Sequence, residues 1–224
     1  MKQYLTITIL IISINLAKAD SPLTSIKFWD LSDDPYVLNI GNLPGKKTLD
    51  LTAFQYLINP TNTLDNKYAL INALGWEFRS SIKNSDNFLR FLKQRFEKEI
   101  NEYRNQNKDH SNFLLRQKDL IINFMKVNLE CEYLKLYNYL LAMDDYLNVS
   151  QLELLYNSWK TEFFKGSDFD ALIVALLKSQ IQLLQNSYIE FREIECIFAD
   201  FEINRMQQFN TIGHRIYSYL QNYK

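Results

Sequence analysis

The chain has 224 residues, 47% hydrophobic and 14% aromatic, with 25 basic and 26 acidic side chains for a net charge of −1. So even a balance excludes a chain built to bind nucleic acid or an anionic membrane by charge, and so much apolar content excludes a disordered one. The length suits one domain with a sizeable core.

The chain opens "MKQYLTITILIISINLAKAD". Lys2 precedes an uncharged run from Gln3 to Ala17, and Ala17-Lys18-Ala19 has the small-x-small pattern that signal peptidase reads. This predicts a secretory signal over residues 1–19, cleaved after Ala19. A membrane anchor fits less well, because the apolar stretch from Tyr4 to Leu16 covers 13 residues against the roughly 20 needed to span a bilayer. The mature chain, residues 20–224, is expected to be exported, periplasmic or extracellular, without stable membrane insertion. Loss of Lys2 and Lys18 leaves it 23 basic and 26 acidic residues, a net charge of −3.

All four prolines, Pro22, Pro35, Pro44 and Pro60, fall in the first 60 residues, which removes the strongest helix breaker from the rest. Asp33-Asp34-Pro35 predicts a short helix stopped by Gly41, although "YVLNI" within it also reads as a short strand. Thr48 precedes a helix over "LDLTAFQYLI", closed by Asn59-Pro60, and Thr63 or Asp65 opens the helix ending in "INALGW". From about Asp86 to Arg104, Phe88, Leu92, Phe96, Ile100 and Tyr103 form one apolar stripe, with Lys93–Glu97, Arg95–Glu99 and Lys98–Glu102 pairs on the other faces. After the polar "NQNKDHS" loop, helix is expected from Asn112 to Leu147 with a break near Asn128. Further helices are expected from Val149 to Gly166, from Ser167-Asp168 through "FDALIVALLKSQIQLLQ" towards Phe198, and from Asp200 to near Tyr219. The expected fold is all-α, a single domain of seven to nine helices in an irregular α/α superhelix or orthogonal bundle.

"LDNKYALINALGW" followed by the helix from Ser85 to Leu92 resembles one HEAT-like unit, covering about residues 63–92. More broadly, a signal peptide followed by "SPLTSIKF", "INALGW", "AMDDYLNV" and "IYSYLQNY" resembles a group of small exported bacterial helical proteins of unknown function. The resemblance implies an exported helical fold and assigns no activity. Gly75 and Trp76, at the end of the HEAT-like helix, are expected to be structural: Gly75 as a helix exit or a close packing point, Trp76 largely buried against the helix beginning near Ser85.

Motifs for chemistry are sparse. His110 and His214 are the two histidines, and no His, Cys, Asp or Glu grouping has metal-site spacing, nor is there a phosphate-binding glycine loop or a nucleophile elbow. No catalytic, cofactor-binding or metal residue is therefore assigned. Two carboxylate pairs could do acid–base work if buried together: Asp144-Asp145, and Glu193 with Glu195. Neighbours on a helix point about 100° apart, which favours solvated or capping roles. Cys131 and Cys196 either form a disulfide, closing a loop worth roughly 4 kcal/mol in the chain-entropy model, or stand as buried free thiols. Tyr133, Tyr137, Tyr139, Tyr188, Tyr217 and Tyr219, with Trp29, Trp76 and Trp159, either line a ligand groove or pack the core.

The favoured function is non-catalytic binding of a protein or peptide partner on a helical surface. The alternatives are a carrier of an apolar small molecule, a periplasmic inhibitor of a toxic enzyme, and a hydrolase using unrecognised carboxylates.

Overall fold

Short polar side chains mark where the first helices begin. The computed structural model describes residues 21–77, 80–107, 117–162, 168–186 and 211–221. After a one-turn helix α1 (Pro22–Ser25) and a 3-10 turn (Trp29–Leu31), α2 (Pro35–Asn42) starts where the Asp34 carboxylate accepts the Tyr36 N–H at 2.8 Å, with Pro35 supplying a pre-set φ. Helix α3 (Leu51–Ile58) is capped by Asp50, which accepts the Ala53 N–H at 2.8 Å, and α4 (Leu64–Leu74) by Thr63, which accepts the Asn66 N–H at 3.3 Å. The start of α3 is thus set by Asp50, two residues beyond the expected Thr48. The residues "YVLNI" lie in α2 and are helical.

The chain continues as α5 (Asn84–Arg95), α6 (Glu97–Gln106), α7 (Gln117–Asn128), α8 (Cys131–Asp144), α9 (Val149–Glu162), α10 (Asp168–Asn186) and α11 (Thr211–Gln221). Among the described residues the fold is all-α, with eleven α-helices and no strand. The expected seven to nine is too few because the one-turn α1 is too short to show a periodic pattern and because one amphipathic stripe can span a bend. The segment from Asp86 to Arg104 breaks at Phe96, whose φ of −117° and ψ of 31° leave the helical region while its ring packs on Phe124 and Tyr133. Periodicity records which residues face the core and is blind to a single distorted residue within the stripe. The region around Asn128 does break, between α7 and α8. The expected continuations to Gly166 and Phe198 lie outside the described residues.

Two helices form the centre. Every residue of α10 from Ala171 to Leu177 is buried, and so is every residue of α4 from Lys67 to Leu74. A helix apolar nearly all round belongs in the interior, and "ALIVALL" is such a sequence. Helix α10 is wrapped by α1, α9 and α11, whereas α4 lies against α2, α3 and α8. The two meet where Phe169 stacks on Tyr68, centroids 5.1 Å apart, with Tyr139 edge-on at 5.5 Å. No described helix is long and apolar enough to cross a membrane.

Two glycines follow from geometry. Gly41 does not stop α2, which runs on to Asn42; it is glycine because the Trp29 ring lies where its side chain would be, 2.1 Å from an added Cβ. Gly75 ends α4 with φ 75° and ψ −175°, a region open essentially to glycine alone. An added Cβ there would meet nothing closer than 3.7 Å, so conformation rather than space requires the residue. Gly75→Ala should therefore cost about 1–3 kcal/mol, read as a lower urea midpoint with an unchanged slope, since only backbone strain is introduced.

Candidate functional site

Polar side chains gather at two places. The first is between α4, α8 and α10. Asp170, with no exposed surface, accepts the Tyr68 hydroxyl at 2.8 Å on one oxygen and the Lys135 ammonium at 2.6 Å on the other. Lys67, also buried, donates to Glu132. Asp65 stands one turn before Ala69 on α4, and its carboxyl is pushed up to about 6 by burial first and by the Asp170 charge second. Burial, with Asp170 next, likewise raises the Tyr68 phenol well above its ordinary value, so it stays protonated and donating. Both Asp170 oxygens are engaged and Asp170 itself is closed to solvent, so its contacts join helices and are not arranged to meet a substrate.

The second lies at the C-terminal end of α8, where the sequence pairs Asp144 with Asp145. The two diverge as adjacent helical residues must. Asp144 turns inward: one oxygen takes the Lys46 ammonium at 2.6 Å and the other the Ser85 N–H at 2.7 Å, so it caps α5 from a distant part of the chain. Asp145 turns outward and pairs with Lys83 at 3.3 Å, both half-exposed. Lys83 also donates to the Asp144 carbonyl at 3.0 Å. With both Asp144 oxygens committed and Asp145 in solvent, the pair does not form an acid–base couple. Glu193 and Glu195 lie outside the described residues.

Beside this helix end, Glu77, Lys83 and the turn from Asp145 to Asn148 border an open depression of about 300 Å³. Trp76 stands next to it with its ring edge-on to Tyr146, centroids 4.9 Å apart. Here the structure corrects an expectation: Trp76 is not largely buried but 40% exposed, with its ring on Tyr146 and its indole bonded to Thr24. Its indole N–H donates to the Thr24 carbonyl at 2.9 Å, and that bond holds the ring outside the core. Leu147, 45% exposed, adds an apolar surface at the same depression.

The remaining aromatics divide. Tyr137, Tyr139 and Trp159 are buried in the core, while Tyr133, Tyr217, Tyr219 and Trp29 are half-buried against it. Tyr188 lies outside the described residues. Cys131 is exposed at the first position of α8, not a buried thiol, and its candidate partner Cys196 is outside the described residues. His214 is exposed on α11, and His110 is outside the described residues. Among the described residues no three His, Cys, Asp or Glu side chains converge as metal ligands do. Sequence reasoning missed Lys46, Asn72, Lys135, Asp170 and Gln180, whose polar groups act across long chain separations. The one local signal was a polar residue interrupting an apolar helical face, as Asn72 does in "ALINAL".

No family model, curated protein or solved structure matches the chain.

Two substitutions separate the inward from the outward carboxylate. Asp144→Ala leaves the Lys46 ammonium buried and unpaired and should cost about 3–5 kcal/mol, whereas Asp145→Ala should cost under about 1 kcal/mol; urea unfolding of both measures the contrast. A pH series tests Asp65. Its folded-state value of about 6 lies above the ordinary 3.8, so the folded protein binds the proton more tightly, and stability from this group is lost as pH rises from about 4 through 6. Asp65→Asn should therefore melt higher than the parent at pH 7.5, with the gap closing towards pH 4.

Proposed function

We propose that the protein is an exported, non-catalytic helical interaction protein that binds a protein or peptide partner. The observation that carries this reading is the surface formed by Trp76 and Leu147, with the buried Tyr146 ring behind Trp76, beside the depression bordered by Glu77, Lys83 and Asp145. A half-exposed tryptophan and an exposed leucine next to charges of both signs combine an apolar contact with a polar rim, the composition of a protein-binding patch. Trp76 is held in place by its bond to Thr24 and its contact with Tyr146, so little side-chain entropy remains to be lost when a partner covers it. An irregular α/α array of helix pairs offers such surfaces at helix ends and connecting loops. The sequence signature of residues 1–19 supports an exported location. The engagement of both Asp144 oxygens weighs against the alternative of a carboxylate hydrolase.

Leu147→Asp tests the reading. Leu147 is exposed, so the variant should melt within a degree or two of the parent while losing a partner captured from the source's exported fraction. Retention of the same proteins by parent and variant overturns this assignment of the surface.

A further inference from the structure

Residues 21–29 cross the molecule as an arm, and nearly all their fastening comes from far along the chain. Leu23, Ile26 and Phe28 are buried to 3% exposure or less, and Ser25 and Lys27 between them face solvent. The arm's main chain is bound by side chains. Asn72 Oδ1 accepts the N–H groups of Phe28 at 3.1 Å and Trp29 at 3.4 Å, and its Nδ2 donates to the Ile26 carbonyl at 3.0 Å. Trp76 donates to the Thr24 carbonyl at 2.9 Å. Gln180 Oε1 accepts the Leu23 N–H at 3.4 Å and the Ser21 hydroxyl, while the Gln180 NH2 is held by the Tyr146 carbonyl at 3.1 Å. Phe28 packs edge-on to Phe169, centroids 6.1 Å apart.

This is how a protein holds a peptide ligand: hydrogen bonds to backbone atoms independent of side-chain identity, with apolar sites that choose the residues. Asn72 is only 6% exposed and Gln180 only 1%, and a buried amide with its partners removed carries a desolvation cost. The groove is therefore built to be filled. We propose that the site between α4 and α10 is a peptide-recognition site, occupied in cis by the arm, that takes in trans a peptide forming one helical turn, as α1 does, with apolar residues at the spacing of Leu23, Ile26 and Phe28. The ligand is specified by Asn72, Gln180 and the apolar sites, so the proposal does not depend on whether the Leu147 surface has a partner.

The probe is a fluorescein-labelled synthetic peptide of residues 21–31, with a control peptide carrying Asp in place of Leu23, Ile26 and Phe28. The protein is the chain from residue 20 to 224, as the parent and as Phe28→Asp, which loosens the arm. In the parent the tethered arm competes at high effective concentration, so binding is weak; in the variant the groove is open, and fluorescence anisotropy should show affinity at least about tenfold higher for the probe and none for the control. Where Phe28→Asp alone lacks a cooperative melt, Ile26→Ala, a milder loosening, carries the same comparison. The proposal is overturned by a folded variant that binds the probe no better than the parent does, or that binds both peptides alike. It is also overturned if the groove is filled in trans only by a second copy, seen by light scattering as a dimer that the probe does not dissociate.

Discussion

The structure turns on one buried carboxylate. Asp170 sits with no exposed surface between the two central helices, held by Tyr68 from α4 and Lys135 from α8. A buried ion pair contributes little net stability, because desolvation offsets the attraction, yet it strongly penalises any arrangement that leaves one charge alone. Apolar helices such as α4 and α10 would otherwise slide or rotate against each other at small cost, since leucine faces are nearly interchangeable. The Tyr68–Asp170–Lys135 contact selects one register. Residues 21–29 are then held by Asn72 of α4 and Gln180 of α10.

Helix ends are the second concern of the fold, and they are met by chain far away in sequence. The segment from Lys46 to Leu49 runs between the end of α4 and the start of α5. The Lys47 N–H donates to the Leu74 carbonyl at 2.7 Å and its ammonium to the Ala73 carbonyl at 3.0 Å, satisfying groups that α4 leaves open. Asn84 accepts the Leu49 N–H at 2.7 Å and donates to the Lys47 carbonyl at 2.9 Å. Lys46 neutralises Asp144, which caps α5 through Ser85. Helices α4, α5 and α8 are thus joined through one short segment. Gly75 leaves α4 in a conformation that keeps the chain beside it.

The same economy shapes the surface beside the depression. Trp76 is kept at the boundary because its indole N–H serves the arm and its ring rests on Tyr146. Tyr146 in turn offers its carbonyl to Gln180, which grips the start of the arm. Trp76, the turn after α8 and the arm thus form one connected set of contacts.

Much of the helical architecture was determined by local sequence. Asp34 and Thr63 act within three residues of themselves, and the run from Ala171 to Leu177 has the apolar content of a helix, so these helices were legible without the fold, whereas the central position of α10 was not. What each residue near the candidate site does was decided by tertiary structure. Neighbouring Asp144 and Asp145 read alike in sequence, and only the arrival of Lys46 and Ser85 makes one a buried cap and the other a solvated surface charge. Trp76 read as core because large apolar residues usually are, yet a carbonyl 52 residues earlier in the chain holds it at the surface. Asn72 and Gln180 gave almost no signal, because their partners lie 44 and 157 residues away at Phe28 and Leu23. Helix propensity and capping are settled within a turn or two of chain, whereas burial and hydrogen-bond partners depend on which distant segments the packed helices bring together.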